Sequence, residues 1–318
     1  MKAHVIINPA AGQPANRAAI ASALAYLAEA GWSLVERHSD ARGDVTHLAR
    51  LAAEQGAEAV VVVGGDGTLS EAANGLVGTG VALGLLPMGT GNVWAAQLGL
   101  MPSPTLLYRP DVMAAARLLV ESRRALIDVG HAWTRTGEHY FMLWSGVGLD
   151  AMIQQTLDAE ARPVKRRFGQ WAYVWAAARP IFEFRGVRAR LRLDATRLRR
   201  RVMFAVVTNI PLYAGVVMAP EARADDGWLD VCVFEGHSWP DTLKHIGQLA
   251  FRRHLADPTV RFYRAREIEI NTSPAMPVHY DGDPVARTPL VARVVPRALT
   301  VLLPPHAAQS FLTEPLTE

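Results

Sequence analysis

The sequence predicts a two-domain protein. Its first half is α/β on a parallel sheet, and its second half is mainly antiparallel β. Three observations carry this prediction. Up to about residue 125, short valine- and isoleucine-rich runs alternate with alanine- and leucine-rich stretches of helical period, the pattern of a parallel sheet with helical crossovers. From residue 126 on, strand-like runs dominate. Three glycine-containing loops fall at the carboxyl ends of first-half strands, where open α/β sheets bind ligands. The predicted division is 1–125 and 126–303, with 304–318 packing back on the first domain or fraying.

Each element has a local reason. His4 to Ile7 is apolar and stops at Asn8-Pro9, a turn dipeptide. Asn16 to Ala30 has helical period and ends at Gly31, a residue that terminates helices well. Ser33 to Arg37 reads as a strand, and Asp44 to Gln55 as a helix stopped by Gly56. Ala59 to Val63 is a β-branched run fit for a buried strand. Thr68-Leu69-Ser70-Glu71 fits a capping box for the helix after it. Val81 to Leu86 reads as a strand, and Val93 to Leu98 and Asp111 to Ser122 as helices. The second half offers strands at 125–129, 140–144, 188–193, 202–208, 229–234, 267–271, 290–295 and 299–303. Helical inserts are expected at 170–179 and 241–253.

Composition narrows the classes. Hydrophobic residues make up 50% of the 318 and charged residues 20%, enough apolar side chain for large cores. A net charge of +3 is too small to argue for a nucleic-acid partner. The single cysteine, Cys232, excludes an intramolecular disulfide and sits in a strand-like run, which predicts a buried, inert thiol. No apolar stretch reaches the roughly 18 residues a membrane-spanning helix needs. The first apolar run is short and breaks at Asn8-Pro9, unlike a signal peptide. The expectation is a cytoplasmic protein that touches membranes peripherally if at all. The segment Lys165-Arg166-Arg167 followed by Trp171, Tyr173 and Trp175 is one candidate for such contact, and a helix packing its aromatics into the β domain with exposed basic flanks is the slightly preferred reading.

The most informative run is Val60-Val61-Val62-Val63-Gly64-Gly65-Asp66-Gly67-Thr68. Glycines at a strand end let the backbone turn tightly and approach a bulky anion. The helix N-terminus that follows attracts phosphate through its free N–H groups. Asp66 beside bound phosphate can hold Mg²⁺ or orient a nucleophile, although aspartate is also a good helix cap. No Gly-Lys-Ser/Thr phosphate loop, Gly-x-Ser-x-Gly elbow or His-Glu-x-x-His zinc site occurs.

Six motifs in order resemble the diacylglycerol kinase catalytic-domain family of lipid kinases. They are Asn8-Pro9-Ala10-Ala11-Gly12, Gly64-Gly65-Asp66-Gly67-Thr68, Pro87-Met88-Gly89-Thr90-Gly91-Asn92, Gly146-Val147-Gly148-Leu149-Asp150-Ala151, Asp225-Asp226-Gly227-Trp228-Leu229-Asp230 and Asp281-Gly282-Asp283. The chain departs from the family pattern at Val93, where many relatives carry Asp, and at Asp283, where they carry Glu.

The resemblance implies a nucleotide-binding α/β domain of the kind shared with NAD kinases, a cleft to the β domain, ATP and Mg²⁺ as cofactors, and a lipid hydroxyl as acceptor. It implies nucleotide contacts at Asn8, Gly64, Gly65, Asp66, Gly67, Thr68, Gly89, Thr90, Asn92 and Asp283. Asp281 and Asp66 become rival candidates for the general base, with Asp281 placed first. Asp226 is a candidate ligand for a structural metal, and Asp128 for an organising carboxylate between domains. Plain turns explain the Asp226 and Asp281 segments as well. The lipid is left open between diacylglycerol, another glycerolipid, a sphingoid base and a polyprenol. The rival readings are a soluble-substrate kinase of the NAD kinase type and a silent nucleotide- or lipid-binding regulator.

Overall fold

The apolar runs of the first half form a parallel sheet because each is short, β-branched and followed by a helix that covers it. The structure, a computed structural model, describes residues 1–8, 14–41, 43–88, 92–100, 111–156, 179–213 and 215–313. The first half runs β1 (Lys2–Ile7), α1 (Pro14–Glu29), β2 (Ser33–His38), α2 (Asp44–Glu54), β3 (Ala59–Gly64), α3 (Asp66–Leu76), β4 (Ala82–Pro87), α4 (Val93–Gln97) and α5 (Val112–Glu121). Strands β2-β1-β3-β4 lie side by side in parallel register. β3 and β4 are buried along their whole lengths, so their side chains need no polar alternation. Asp111 caps α5 by accepting from the N–H groups of Met113 and Ala114.

Two local readings change. Helix α3 starts at Asp66, two residues before the expected capping box, so Thr68 lies inside the helix. The Asp66 carboxylate does not cap its own helix. It reaches across to α4, as described below.

The second half comprises β5 (Arg123–Thr134), β6 (Gly137–Phe141), β7 (Trp144–Gly148), α6 (Leu149–Thr156), β8 (Val187–Leu193), β9 (Thr196–Thr208), β10 (Leu212–Tyr213), β11 (Val216–Val217) and β12 (Leu229–Glu235). It continues with α7 (Trp239–Ala250), β13 (Val260–Ala265), β14 (Glu267–Ser273), β15 (Pro277–Tyr280), β16 (Asp283–Arg287), β17 (Leu290–Leu303) and α8 (Pro305–Phe311). Its strand pairs are antiparallel. The single strand expected at 140–144 is instead the end of β6 and the start of β7, with a corner at Met142-Leu143. Strands β13, β15 and β16 were not anticipated. The helical insert expected at 170–179 lies outside the described residues except for its last residue; that at 241–253 is α7.

The strands expected at 290–295 and 299–303 are one strand, β17, with an irregularity between Val295 and Leu299. Its first part pairs with β14 and its last part meets β4 at Val301, while β5 runs antiparallel along nearly all of it. The two halves therefore share a continuous hydrogen-bonded sheet through β17. The tail returns to the first half. Phe311 packs edge-on against Trp94 at 5.6 Å, and Gln97 donates to Ser310 Oγ at 3.1 Å. Cys232 is fully buried, and burial pushes its thiol pKa up, so it stays protonated and inert.

Candidate active site

The carboxyl ends of β1, β3 and β4 lie side by side, so the residues that leave these strands start from one edge of the sheet. Asn8 directly follows β1, and its Nδ2 donates to Thr68 Oγ1 at 3.1 Å, tying the end of β1 to the first turn of α3. Gly64 and Thr68 touch closely: a Cβ on Gly64 would lie 2.5 Å from Thr68 Oγ1. Gly64 is thus required by the packing of the turn itself. Gly67 differs, since among the described residues a Cβ there would meet nothing within 4 Å. It sits at the N-terminus of a helix, where an anion is favoured.

Asp66 links the start of α3 to the start of α4. Its Oδ2 accepts from Val93 N–H at 2.7 Å and its Oδ1 from Trp94 N–H at 3.1 Å, so it caps α4. Asn92, just before α4, is fully buried. Gly89 and Thr90 lie outside the described residues, as do Pro9 to Gly12 and the Lys165–Trp175 segment. A cavity of about 840 Å³ runs between α1 and β2 and reaches Ile7 at the end of β1. Ile7, Arg17, Ile20, Leu24, His38 and Asp40 help line it.

The second half contributes the turn between β15 and β16. Asp281 and Gly282 both adopt positive φ, 47° and 89°, the two-residue hairpin geometry that an Asp-Gly pair favours. This turn folds the Asp281 carboxylate back on the β6–β7 corner. Its Oδ2 accepts from Met142 N–H at 3.0 Å, and its Oδ1 from Leu143 and Trp144 N–H at 2.9 Å each. Asp281 is 3% exposed. Asp283, which leaves the turn, is half-buried.

Asp66 and Asp281 sense each other. Burial pushes the Asp66 pKa up to about 7, against the pull of the Val93 and Trp94 N–H groups and with the Asp281 charge adding to the rise. Burial also raises Asp281, opposed by its backbone donors. Two neighbouring carboxylates destabilised in this way are relieved by a cation. Mg²⁺ takes one or two carboxylates beside substrate phosphates, so this donor set fits it. Among the described residues no cluster of three or more metal-ligating side chains occurs.

The Asp226 turn is arranged otherwise. Asp226 Oδ1 accepts from Trp228 N–H at 3.0 Å, and its Oδ2 is held by Arg264. A cation at Asp226 would have to displace that guanidinium. The fully buried Asp128 clamps the turn to β17, accepting from Gly227 N–H at 2.6 Å and Arg297 N–H at 2.8 Å. Burial raises the Asp128 pKa, and the charges of Asp226 and Asp225 add to the rise.

Sequence reasoning missed one cluster. The Tyr213 hydroxyl donates to Asp150 Oδ2 at 2.8 Å, and His279 Nε2 lies 3.0 Å from the same oxygen. Gly282 N–H points at His279 Nδ1 at 3.3 Å, which connects the cluster to the Asp281 turn. Gly146 belongs to it by steric need, since a Cβ would come within 2.0 Å of both Asp150 and His279. The Gly146–Ala151 motif was the available signal, but nothing in its spacing names a histidine 129 positions downstream of Asp150.

Comparison with known proteins identifies the family. The model of the diacylglycerol kinase catalytic domain matches residues 2–132, and that of the YegS C-terminal NAD kinase beta sandwich-like domain matches residues 145–303. A diacylglycerol kinase of Mycobacterium tuberculosis is 30% identical over 308 residues, covering 96% of each chain. One from Bacillus subtilis is 25% identical over 98% of this chain and 99% of its own. The crystal structure of a diacylglycerol kinase from Bacillus anthracis superposes with a TM-score of 0.70 at 21% identity, covering 96% and 98% of the two chains, which shows the shared fold. Matched along nearly its whole length, this chain belongs to the diacylglycerol kinase catalytic-domain family of lipid kinases.

Proposed function

We propose that the chain transfers the γ-phosphoryl group of ATP to a lipid hydroxyl, with diacylglycerol the first acceptor to test. One observation carries this reading: the half-buried Asp66, at the end of β3, holds the start of α4 and has its pKa raised to about 7, with the charge of the buried Asp281 adding to the rise. Bound ATP with Mg²⁺ supplies the phosphoryl group and neutralises its oxygens. The N–H groups opening α3, that of Gly67 among them, and Asn8 hold phosphate. The cavity between α1 and β2 takes the base and ribose. Asp66 is the oxygen ligand for Mg²⁺.

For the proton of the acceptor hydroxyl we assign Asp283 rather than Asp281. Asp281 is enclosed and spends both oxygens on three N–H donors, so its work is to hold the β6–β7 corner and to set the field on Asp66. Asp283 leaves the same turn in a half-buried position that a hydroxyl can reach.

The test is transfer of label from γ-labelled ATP into a mixed lipid extract. Asp66→Asn and Asp283→Asn are expected to abolish a labelled lipid that the wild type produces, with the folded state intact. Asp281→Asn is expected to lower the melting temperature as well as activity. A labelled NAD or sugar instead of a lipid would move the reading to a soluble acceptor. Full activity in Asp283→Asn would return the proton to Asp66 or Asp281.

A further inference from the structure

Strands β8 and β9 carry a feature that catalysis does not use. Their register sets Arg188 opposite Arg201, Arg190 opposite Arg199, and Arg192 opposite Arg197. Like charges directly opposite one another destabilise a strand pair. Five of the six are exposed and Arg192 is half-buried. Only one end is compensated: Arg192 pairs with Glu267 at 2.6 Å and Glu269 at 3.1 Å. At the other end the neighbouring strand offers Asn271 opposite Arg190 and Ser273 opposite Arg188. Among the described residues no carboxylate pairs with Arg188, Arg190, Arg199 or Arg201. These four line an open trough of about 670 Å³.

The uncompensated end adjoins an exposed apolar face. Gly236 N–H donates to the Arg201 carbonyl at 3.1 Å and Gly186 N–H to the His237 carbonyl at 3.0 Å, stitching the start of α7 to the Arg188–Arg201 pair. There Trp239 packs on Phe182 with ring centroids 6.1 Å apart. Along α7, Trp239, Leu243, Ile246 and Ala250 recur at helical spacing and are all exposed. Phe251, 76% exposed, extends the stripe, with the exposed Arg252 and Arg253 after it. The helix turns Thr242 and His245 inward instead, His245 packing edge-on against Phe234. A surface helix that displays its apolar side chains marks an interaction surface.

We propose that the arginine pairs of β8–β9 and the apolar stripe of α7 form one docking face for an anionic lipid bilayer. Arginine forks match headgroup phosphates, and a tryptophan flanked by aliphatic side chains suits the interfacial layer. Exposed Leu243 and Ile246 find an apolar partner among acyl chains and none in a nucleic acid, so a bilayer fits this face better. The face rests on the lipid-kinase reading only for its use, which is to bring the cleft to a substrate held in a membrane.

Co-sedimentation of the full chain with vesicles tests it. Wild type is expected to bind vesicles of mixed phosphatidylglycerol and phosphatidylcholine, to bind phosphatidylcholine alone far more weakly, and to be released by salt. Each basic residue near such a surface is worth about fivefold in binding, so Arg188→Gln, Arg190→Gln, Arg199→Gln and Arg201→Gln together should weaken it ~10²-fold or more. That variant should melt no lower than wild type, because it removes like-charge pairs. Leu243→Ser with Ile246→Ser should weaken binding too, and both side chains are already exposed. Equal wild-type binding to neutral vesicles, or unchanged binding by both variants, overturns the proposal. So does retention of duplex DNA that the arginine variant alone loses, with no vesicle binding. Phosphorylation of a short-chain, water-soluble diacylglycerol should be unchanged in both variants. Vesicle binding by a wild type that phosphorylates no lipid would defeat the kinase reading and leave the docking face standing.

Discussion

Two Asp-Gly turns of the second half look alike in sequence and differ in what balances their charge. At Asp225-Asp226-Gly227, the chain supplies its own cation: Arg264 holds Asp226 and lies 3.6 Å from Asp230. At Asp281-Gly282-Asp283, the Asp281 carboxylate is held by backbone N–H groups, and its charge adds to the rise of the Asp66 pKa. A turn that carries its own cation serves the fold. A turn that leaves negative charge facing negative charge holds stability in reserve for a ligand, as functional sites do.

The largest effect that would break this comparison is on Asp66. A carboxylate whose folded pKa is raised costs no stability below its ordinary value of 3.8. The cost grows as pH rises through the window up to about 7 and is complete above it. The difference between 3.8 and about 7 corresponds to roughly 4 kcal/mol at most. Asp66→Asn keeps one acceptor oxygen of two, which returns about 1–2 kcal/mol of that gain. The expected outcome is a variant with no phosphoryl transfer that melts higher than wild type at pH 8 and no higher at pH 4. Thermal melts across that range check it. A variant less stable at pH 8 would show that Asp66 is an ordinary structural cap.

Much of this contrast was legible in the sequence, and the remainder has physical reasons. The valine run, the Gly64–Thr68 loop and the order of first-half elements follow from local patterns, because parallel strands buried on both faces announce themselves as short apolar runs. The identity of β17 as one strand was hidden, because Arg297 breaks the apolar pattern. Its positive φ of 50° and its N–H bond to Asp128, 169 residues earlier, are tertiary facts. For the same reason the structural alternative for Asp66, a cap on its own helix, pointed to the wrong helix, and Asp150 carried no visible link to His279 and Tyr213. Arg264, the residue that sets the two turns apart, has no motif at all.

A smaller effect sharpens the reading of the cleft. Gly67 sits in the first turn of α3, glycine costs up to about 1 kcal/mol relative to alanine in a helix, and none of the described residues forbids a side chain there. Gly67→Ala is expected to raise stability by up to about 1 kcal/mol and to weaken ATP binding by about tenfold or more. A melt and an ATP titration on the same sample check both. Unchanged ATP affinity would place the phosphates elsewhere.

The smallest effect tests the self-balanced turn. The Arg264 side chain is 42% exposed and that of Asp226 15%, so their pairing contributes about 1 kcal/mol after solvent screening. Arg264→Gln should cost about that much, leave phosphoryl transfer within about twofold of wild type, and release Asp226 and Asp230. Burial raises the Asp230 pKa to about 6 even with Arg264 beside it. Without the guanidinium it rises further, so the stability deficit of the variant should widen as pH climbs past 6. The freed carboxylates then resemble the cleft, and millimolar Mg²⁺ should raise the melting temperature of the variant. The chains with and without Arg264→Gln are best compared in the Asp66→Asn background, so that the cleft adds nothing. Equal stabilisation by Mg²⁺ of the chain that keeps Arg264 and of the Arg264→Gln variant would mean that the turn takes a cation alongside its arginine. The difference between the two turns would then lie in geometry rather than in charge balance.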